Sequence, residues 1–95
     1  MTEMEKLIRL LKVANIPHEI SNHLYGTMQV SYPCNDYDKR VCDAVCFPGS
    51  YGFEAGLLEI MGLVDEEEVG DSVEGWLTAE EVFNRISCHW QDTNT

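Results

Sequence analysis

The same helix-start signal occurs near both ends of the chain. A threonine is followed three residues later by a glutamate at Thr2 and again at Thr78, so that each pair can cap the first turn of a helix. Apolar side chains with helical spacing follow both signals, which predicts helices over residues 3–14 and 79–89. Asn15 is expected to end the first helix in a left-handed conformation. The rest of the fold must therefore form between two terminal helices.

Four short segments between these helices have strand character. Residues 27–32 alternate apolar and polar side chains, and residues 18–24 precede them across a turn predicted at Tyr25-Gly26. Residues 40–47 carry small side chains on one predicted face, where a helix can pack closely. Periodicity alone does not assign the apolar run 57–64; we interpret it as a strand because glycines bracket it.

The expected fold class is α+β: a three- to four-stranded antiparallel meander sheet with the N-terminal and C-terminal helices packed on one face. Short connections between successive strands favour a meander over parallel crossovers. A chain of 95 residues forms one modest core, so we expect a single domain over residues 1–90 and a flexible tail over residues 91–95. Residues 65–74 are interpreted as an acidic connection that leads to the last helix.

Charge is distributed unevenly along the chain. Residues 1–50 hold 6 acidic and 5 basic residues, whereas residues 51–95 hold 11 acidic residues and a single basic one, Arg85. No Lys or Arg lies between Arg40 and Arg85. Because phosphates are bound by cations, direct binding of nucleic acid or of an anionic membrane by the second half is disfavoured. A basic protein or a divalent cation is the electrostatically favoured partner.

The N-terminal segment does not resemble a signal peptide, since acidic residues, Arg9 and Lys12 interrupt its apolar positions. No stretch approaches the roughly 20 apolar residues that a membrane span requires. We therefore expect a cytoplasmic protein, that of an infected bacterial host if the resemblance described below holds. Its thiols should then be reduced; they belong to Cys34, Cys42, Cys46 and Cys88.

The potential metal ligands and nucleophiles show no convincing pattern. If residues 40–47 form a strand, the α-carbons of Cys42 and Cys46 lie about 13 Å apart, too far for one zinc ion or a disulfide. The cysteines and histidines match no nucleophile motif. The acidic segment lacks the spacing of an EF-hand, although Asp65, Glu67 and Asp71 leave a calcium loop as a weaker alternative. We expect no catalytic residues, no metal and no cofactor.

The most informative feature is an acidic run of eight carboxylates within seventeen residues. One interpretation is a solvated face that keeps a small protein soluble. A second is phosphate mimicry, because extended residues and the phosphates of one DNA strand repeat at nearly the same rise of about 3.4 Å. The predicted partner-binding carboxylates are Asp65, Glu66, Glu67, Glu68, Asp71, Glu74, Glu80 and Glu81.

The segment PGSYGFEAG at residues 48–56 is rich in glycine and aromatic residues. It lacks the Lys-Ser/Thr that follows a phosphate-binding glycine loop. It is either an ordinary loop or a binding loop, since aromatic side chains are enriched at interfaces. We include Tyr51, Phe53 and Trp76 among the predicted partner-binding residues.

Three segments, VCDAVCFPGSYG, LLEIMGLVDEEE and VEGWLTAEEVFNRI, carry a resemblance. Over about residues 5–90 the chain resembles small acidic proteins encoded in phages and prophages of Gram-positive bacteria. The resemblance assigns no catalytic motif and no site residue. It implies a context in which short acidic proteins inhibit host defence, and several anti-CRISPR proteins are acidic DNA mimics.

The leading hypothesis is a non-enzymatic interaction protein, a phage-encoded inhibitor that mimics nucleic-acid charge. It would block the basic groove of a host defence protein such as a CRISPR effector. One alternative is a binder of a small signalling nucleotide, for which the available cations are Lys39, Arg40 and Arg85. Another is a structural or regulatory phage protein with a solvated acidic face. A homodimer is also left open.

Overall fold

The computed structural model describes residues 1–64 and 73–94. In chain order, the helices and strands are α1 (Glu3–Val13), β1 (Glu19–Asn22), β2 (Met28–Tyr32), β3 (Cys42–Val45), β4 (Leu58–Met61), β5 (Val73–Leu77) and α2 (Ala79–Thr93). Short 3-10 turns lie at Leu24–Gly26 and Phe53–Ala55. None of the helices in the described residues is both long and apolar enough to cross a lipid bilayer.

The strands form one antiparallel meander with five strands in the order β1-β2-β3-β4-β5. The α+β class and the meander are confirmed, and the run 57–64 does contain a strand. The prediction of three to four strands was wrong, because Val73 and Glu74, interpreted as connection, begin β5. Strand β5 escaped prediction because a glycine and a bulge interrupt its alternation: Leu58 pairs with Leu77, but Ile60 pairs with Glu74.

Both helices cover the same face of the sheet. The small side chains of Cys42 and Ala44 face the helices and are buried, as expected from the pattern in residues 40–47. Their neighbour Asp43 lies on the opposite face, away from α1 and α2. The buried core contains Met4, Leu7, Leu11, Ile16, Val30, Tyr32, Cys42, Ala44, Leu58, Ile60, Leu77, Ala79, Val82 and Ile86.

Both predicted capping boxes form. Thr2 Oγ1 accepts from the Glu5 N–H at 3.1 Å and Thr78 Oγ1 accepts from the Glu81 N–H at 3.2 Å, and each glutamate carboxylate accepts in return. Glu3 adds a link between the helices, because its Oε1 accepts from the Ala79 N–H at 2.8 Å. This bond is the main reason why the pKa of Glu3 lies below its ordinary value.

Two local predictions at chain turns are confirmed, and the last helix is longer than predicted. Asn15 adopts a left-handed conformation with φ of 61°, and Tyr25 and Gly26 form the turn between β1 and β2. Helix α2, predicted over residues 79–89, continues to Thr93, and the flexibility of residues 91–95 stays a prediction. The extension is stabilised by a hydrogen bond of 2.8 Å from the Asn94 side chain to the Trp90 carbonyl.

Candidate functional site

The glycine-rich segment folds into a tight turn that begins just after β3. Ser50 is buried and holds the turn closed, because its Oγ accepts from the Phe47 N–H at 3.0 Å and donates to the Phe47 carbonyl at 2.8 Å. Gly52, with φ of 99°, then reverses the chain into the 3-10 turn Phe53–Ala55. The Leu57 N–H returns to the Gly52 carbonyl at 2.9 Å. The turn therefore has a defined shape.

This turn packs directly against β5. The Trp76 N–H donates to the Tyr51 carbonyl at 3.2 Å. A Cβ added at Gly75 would collide with the Cβ of Tyr51, and one added at Gly52 would lie 2.8 Å from the Trp76 nitrogen. Only glycine permits so close an approach of the two backbones. The Tyr51 N–H also donates to Glu59 Oε1 on β4 at 3.0 Å, so Tyr51 is held from both sides.

The packing brings three predicted partner-binding residues into one neighbourhood, although it leaves them in contact with solvent. We call Tyr51, Phe53 and Trp76 the aromatic patch; these residues are 59%, 39% and 55% exposed. Tyr51 and Trp76 meet through their backbones, and Phe53 follows Gly52 in the turn. Solvent-exposed aromatic side chains held on a rigid backbone are typical of protein-binding surfaces.

The predicted acidic surface divides into three groups. Five of its residues, Asp65, Glu66, Glu67, Glu68 and Asp71, lie outside the described residues, as does the alternative calcium loop. Two others have structural roles: Glu74 forms a two-pronged ion pair with Arg85 at 2.8 and 2.9 Å, and Glu81 caps α2. Glu80 is exposed in the first turn of α2.

Glu54 is an acidic residue that the sequence reasoning missed. It is exposed within the 3-10 turn, directly after Phe53. Glu54 was missed because it lies outside the acidic run. Its position in a candidate binding loop, between Phe53 and Gly56, could have indicated it. Glu54 lies on the turn that holds Tyr51 and Phe53, and Glu59 lies on β4, the strand next to Trp76 on β5.

The sheet face opposite α1 and α2 contains a second polar feature that the sequence did not reveal. Asp43 accepts from Gln29 Nε2 at 3.0 Å and from Arg40 at 3.3 Å, and burial raises its pKa above the ordinary value. The Arg40 guanidinium lies 5.9 Å from the centre of the Tyr37 ring. Two separate shallow clefts elsewhere on the surface have volumes of about 420 and 510 Å³, and the groove beside Arg40 is smaller, about 370 Å³.

These contacts bear on the nucleotide-binding alternative. Arg40 and Arg85, two of the three cations available to it, already pair with Asp43 and Glu74. Lys39 is exposed on the loop before β3. The described structure therefore does not gather these three cations around a common anion site.

The thiols and imidazoles make separate structural contacts. All four cysteines are free, and burial raises the pKa of Cys42 to about 12, so its thiol is protonated at neutral pH. His89 Nδ1 shares a hydrogen bond of 2.7 Å with the Tyr32 hydroxyl, and His23 stacks on Phe47 with ring centres 4.7 Å apart. Within residues 1–64 and 73–94, no three metal-ligating side chains come together.

Comparison of the chain with protein-family models, with curated proteins and with solved structures found no match. The resemblance to phage proteins consequently stays a prediction.

Proposed function

We propose that the protein is a non-enzymatic interaction module that binds a basic protein through the aromatic patch and neighbouring carboxylates. The observation that carries this proposal is the docking of the turn onto β5. Tyr51 and Trp76 come from distant parts of the chain, are joined by a backbone hydrogen bond, and are still more than half exposed. Such rings can supply contact area at a low cost in conformational entropy.

Charge determines the chemistry of the proposed partner. The formal net charge is -11, and residues 41–84, which include the patch, contain no Lys or Arg. The first cation beyond that segment, Arg85, pairs with Glu74. A positively charged groove is complementary to such a surface, and proteins that bind nucleic acid have grooves of this kind.

Within this proposal, the acidic residues of this chain compete with nucleic acid for the positively charged groove of the partner. The resemblance to phage proteins points to a host defence protein, such as a CRISPR effector, as the partner. Exposed charges on both sides would accelerate association and make the affinity depend on salt.

The test is capture from a nuclease-treated bacterial lysate on the immobilised protein, followed by elution with a DNA duplex. We expect the duplex to release nucleic-acid-binding proteins, and we expect their retention to fall about tenfold or more as salt increases to physiological levels and beyond. Each candidate is then purified, and its affinity is measured directly with and without the duplex.

Two sets of substitutions test which residues of the protein carry the binding. Reversing the charge in Glu66→Lys/Glu67→Lys/Glu68→Lys should weaken binding strongly, and Tyr51→Ala/Trp76→Ala should weaken it at every salt concentration. Thermal melting verifies that each variant folds. Binding that neither the duplex nor the charge reversal reduces would contradict the proposal.

A further inference from the structure

Trp76 has an unusual conformation for an exposed aromatic residue within a strand. Its φ is 61°, in the left-handed region, where the Cβ of an L-residue crowds the backbone. More than half of the residue is exposed, so burial compensates for only part of this strain. Strained residues that the surrounding structure over-determines are concentrated at functional sites.

The structure around Trp76 imposes this conformation. The residue lies in the bulge of β5, where three steps along β5 match two along β4. Its N–H is held by the Tyr51 carbonyl, and the close approaches at Gly52 and Gly75 lock the turn against the bulge. A bulge of this kind redirects a side chain away from the regular strand pattern.

Tyr25 provides the comparison that separates this feature from ordinary turn geometry. It is also an exposed aromatic residue with positive φ, 59°. There the left-handed conformation follows from the tight hairpin. Tyr25 and Gly26 are the two central residues of the turn Leu24–Thr27 that joins β1 to β2, and both positions of such a turn require positive φ. Trp76 does not connect two paired strands, so hairpin closure does not explain its conformation.

We propose that Trp76, supported by Tyr51, receives an arginine side chain of the partner. This inference rests on the proposed function and specifies its recognition chemistry. An indole face attracts a cation, and a planar guanidinium stacks on it better than the strongly hydrated ammonium of lysine does. Glu54 and Glu59 supply carboxylates on the turn and strand that hold Tyr51. The chain itself pairs a guanidinium with an aromatic ring, at Arg40 and Tyr37.

The test uses two synthetic peptides of equal length and equal charge, one with arginine and one with lysine at every basic position. Affinities are measured by calorimetry at low salt for the full chain. We expect the arginine peptide to bind more tightly, by up to about two- to fivefold, which is the full range of an exposed cation–π contact. Trp76→Ala should abolish this preference while charge-driven binding of both peptides persists.

Matched variants sharpen the result. Trp76→Phe should keep part of the preference, because a weaker aromatic face remains. Tyr25→Ala removes an aromatic ring that is even more exposed and has the same backbone conformation, and it should change nothing. If Trp76→Ala does not fold, Trp76→Gly replaces it, since glycine accepts the left-handed backbone.

The outcomes separate this inference from the proposed function. Equal affinities for the two peptides, or a preference that survives loss of the Trp76 ring, overturn the arginine assignment but leave a charge-driven interaction module intact. Failure of the peptides to bind at all overturns the assignment as well. The proposed function itself fails only in the capture and duplex-competition experiment.

Discussion

At the scale of single residues, the aromatic patch depends on backbone positions rather than on side-chain packing. Gly52 and Gly75 allow the turn and β5 to touch, and Trp76 takes the left-handed conformation that the bulge requires. Tyr51 and Trp76 are joined by a backbone hydrogen bond, and both residues stay more than half exposed. The aromatic patch therefore stays in contact with solvent.

A substitution pair at Trp76 tests the strain. Trp76→Gly should have a free energy of unfolding about 1 kcal/mol higher than that of Trp76→Ala, because Ala retains the Cβ that the left-handed region disfavours. Both variants lose the same ring, so the difference isolates the backbone. Urea denaturation measures it. In an ordinary strand the order is reversed, and finding Ala the more stable would show that Trp76 is unstrained.

At the scale of elements, the helices are determined by signals only a few residues long. Thr2 and Thr78 each contact the third residue of their own helix, so these starts can be predicted without knowledge of the fold. Strand β5 is different, because its only described strand neighbour is β4 and its pattern is broken at Gly75 and Trp76. Strand β5 forms by pairing with β4, which residues 62–72 separate from it along the chain.

The cap of α2 provides an element-scale prediction. Thr78→Ala should lower the free energy of unfolding by about 1 kcal/mol, since the Glu81 N–H loses its side-chain acceptor. Thr78→Ser retains the hydroxyl and should stay close to the parent protein. Chemical denaturation of the three proteins provides the comparison. Equal stability of the Ala and Ser variants would mean that the cap contributes nothing.

At the scale of the whole molecule, the dominant property is negative charge. A net charge of -11 on 95 residues repels itself in the compact state. The ion pairs Glu74–Arg85, Asp43–Arg40 and Glu3–Lys6 offset only a small part of it. Such a charge is unfavourable for stability but favours association with a cationic partner.

This leads to opposite salt effects on stability and on binding. The melting temperature should rise by several degrees when sodium chloride is increased from low to moderate concentration, because salt screens the self-repulsion. Glu66→Lys/Glu67→Lys/Glu68→Lys changes the net charge by two per site, from -11 to -5, and its melting temperature should respond less. Scanning calorimetry at matched pH tests this. Identical salt responses would show that self-repulsion is unimportant.

Local chemistry was sufficient to predict both helix starts, the turn at Tyr25-Gly26 and the small face of β3, because each depends on neighbours within a few residues. Composition likewise established the charge asymmetry. The contact of Tyr51 with Trp76 could not be predicted in this way, nor could the commitment of Glu74 to Arg85, because both join distant segments. Tertiary packing alone decides which carboxylates stabilise the fold and which aromatic rings remain exposed.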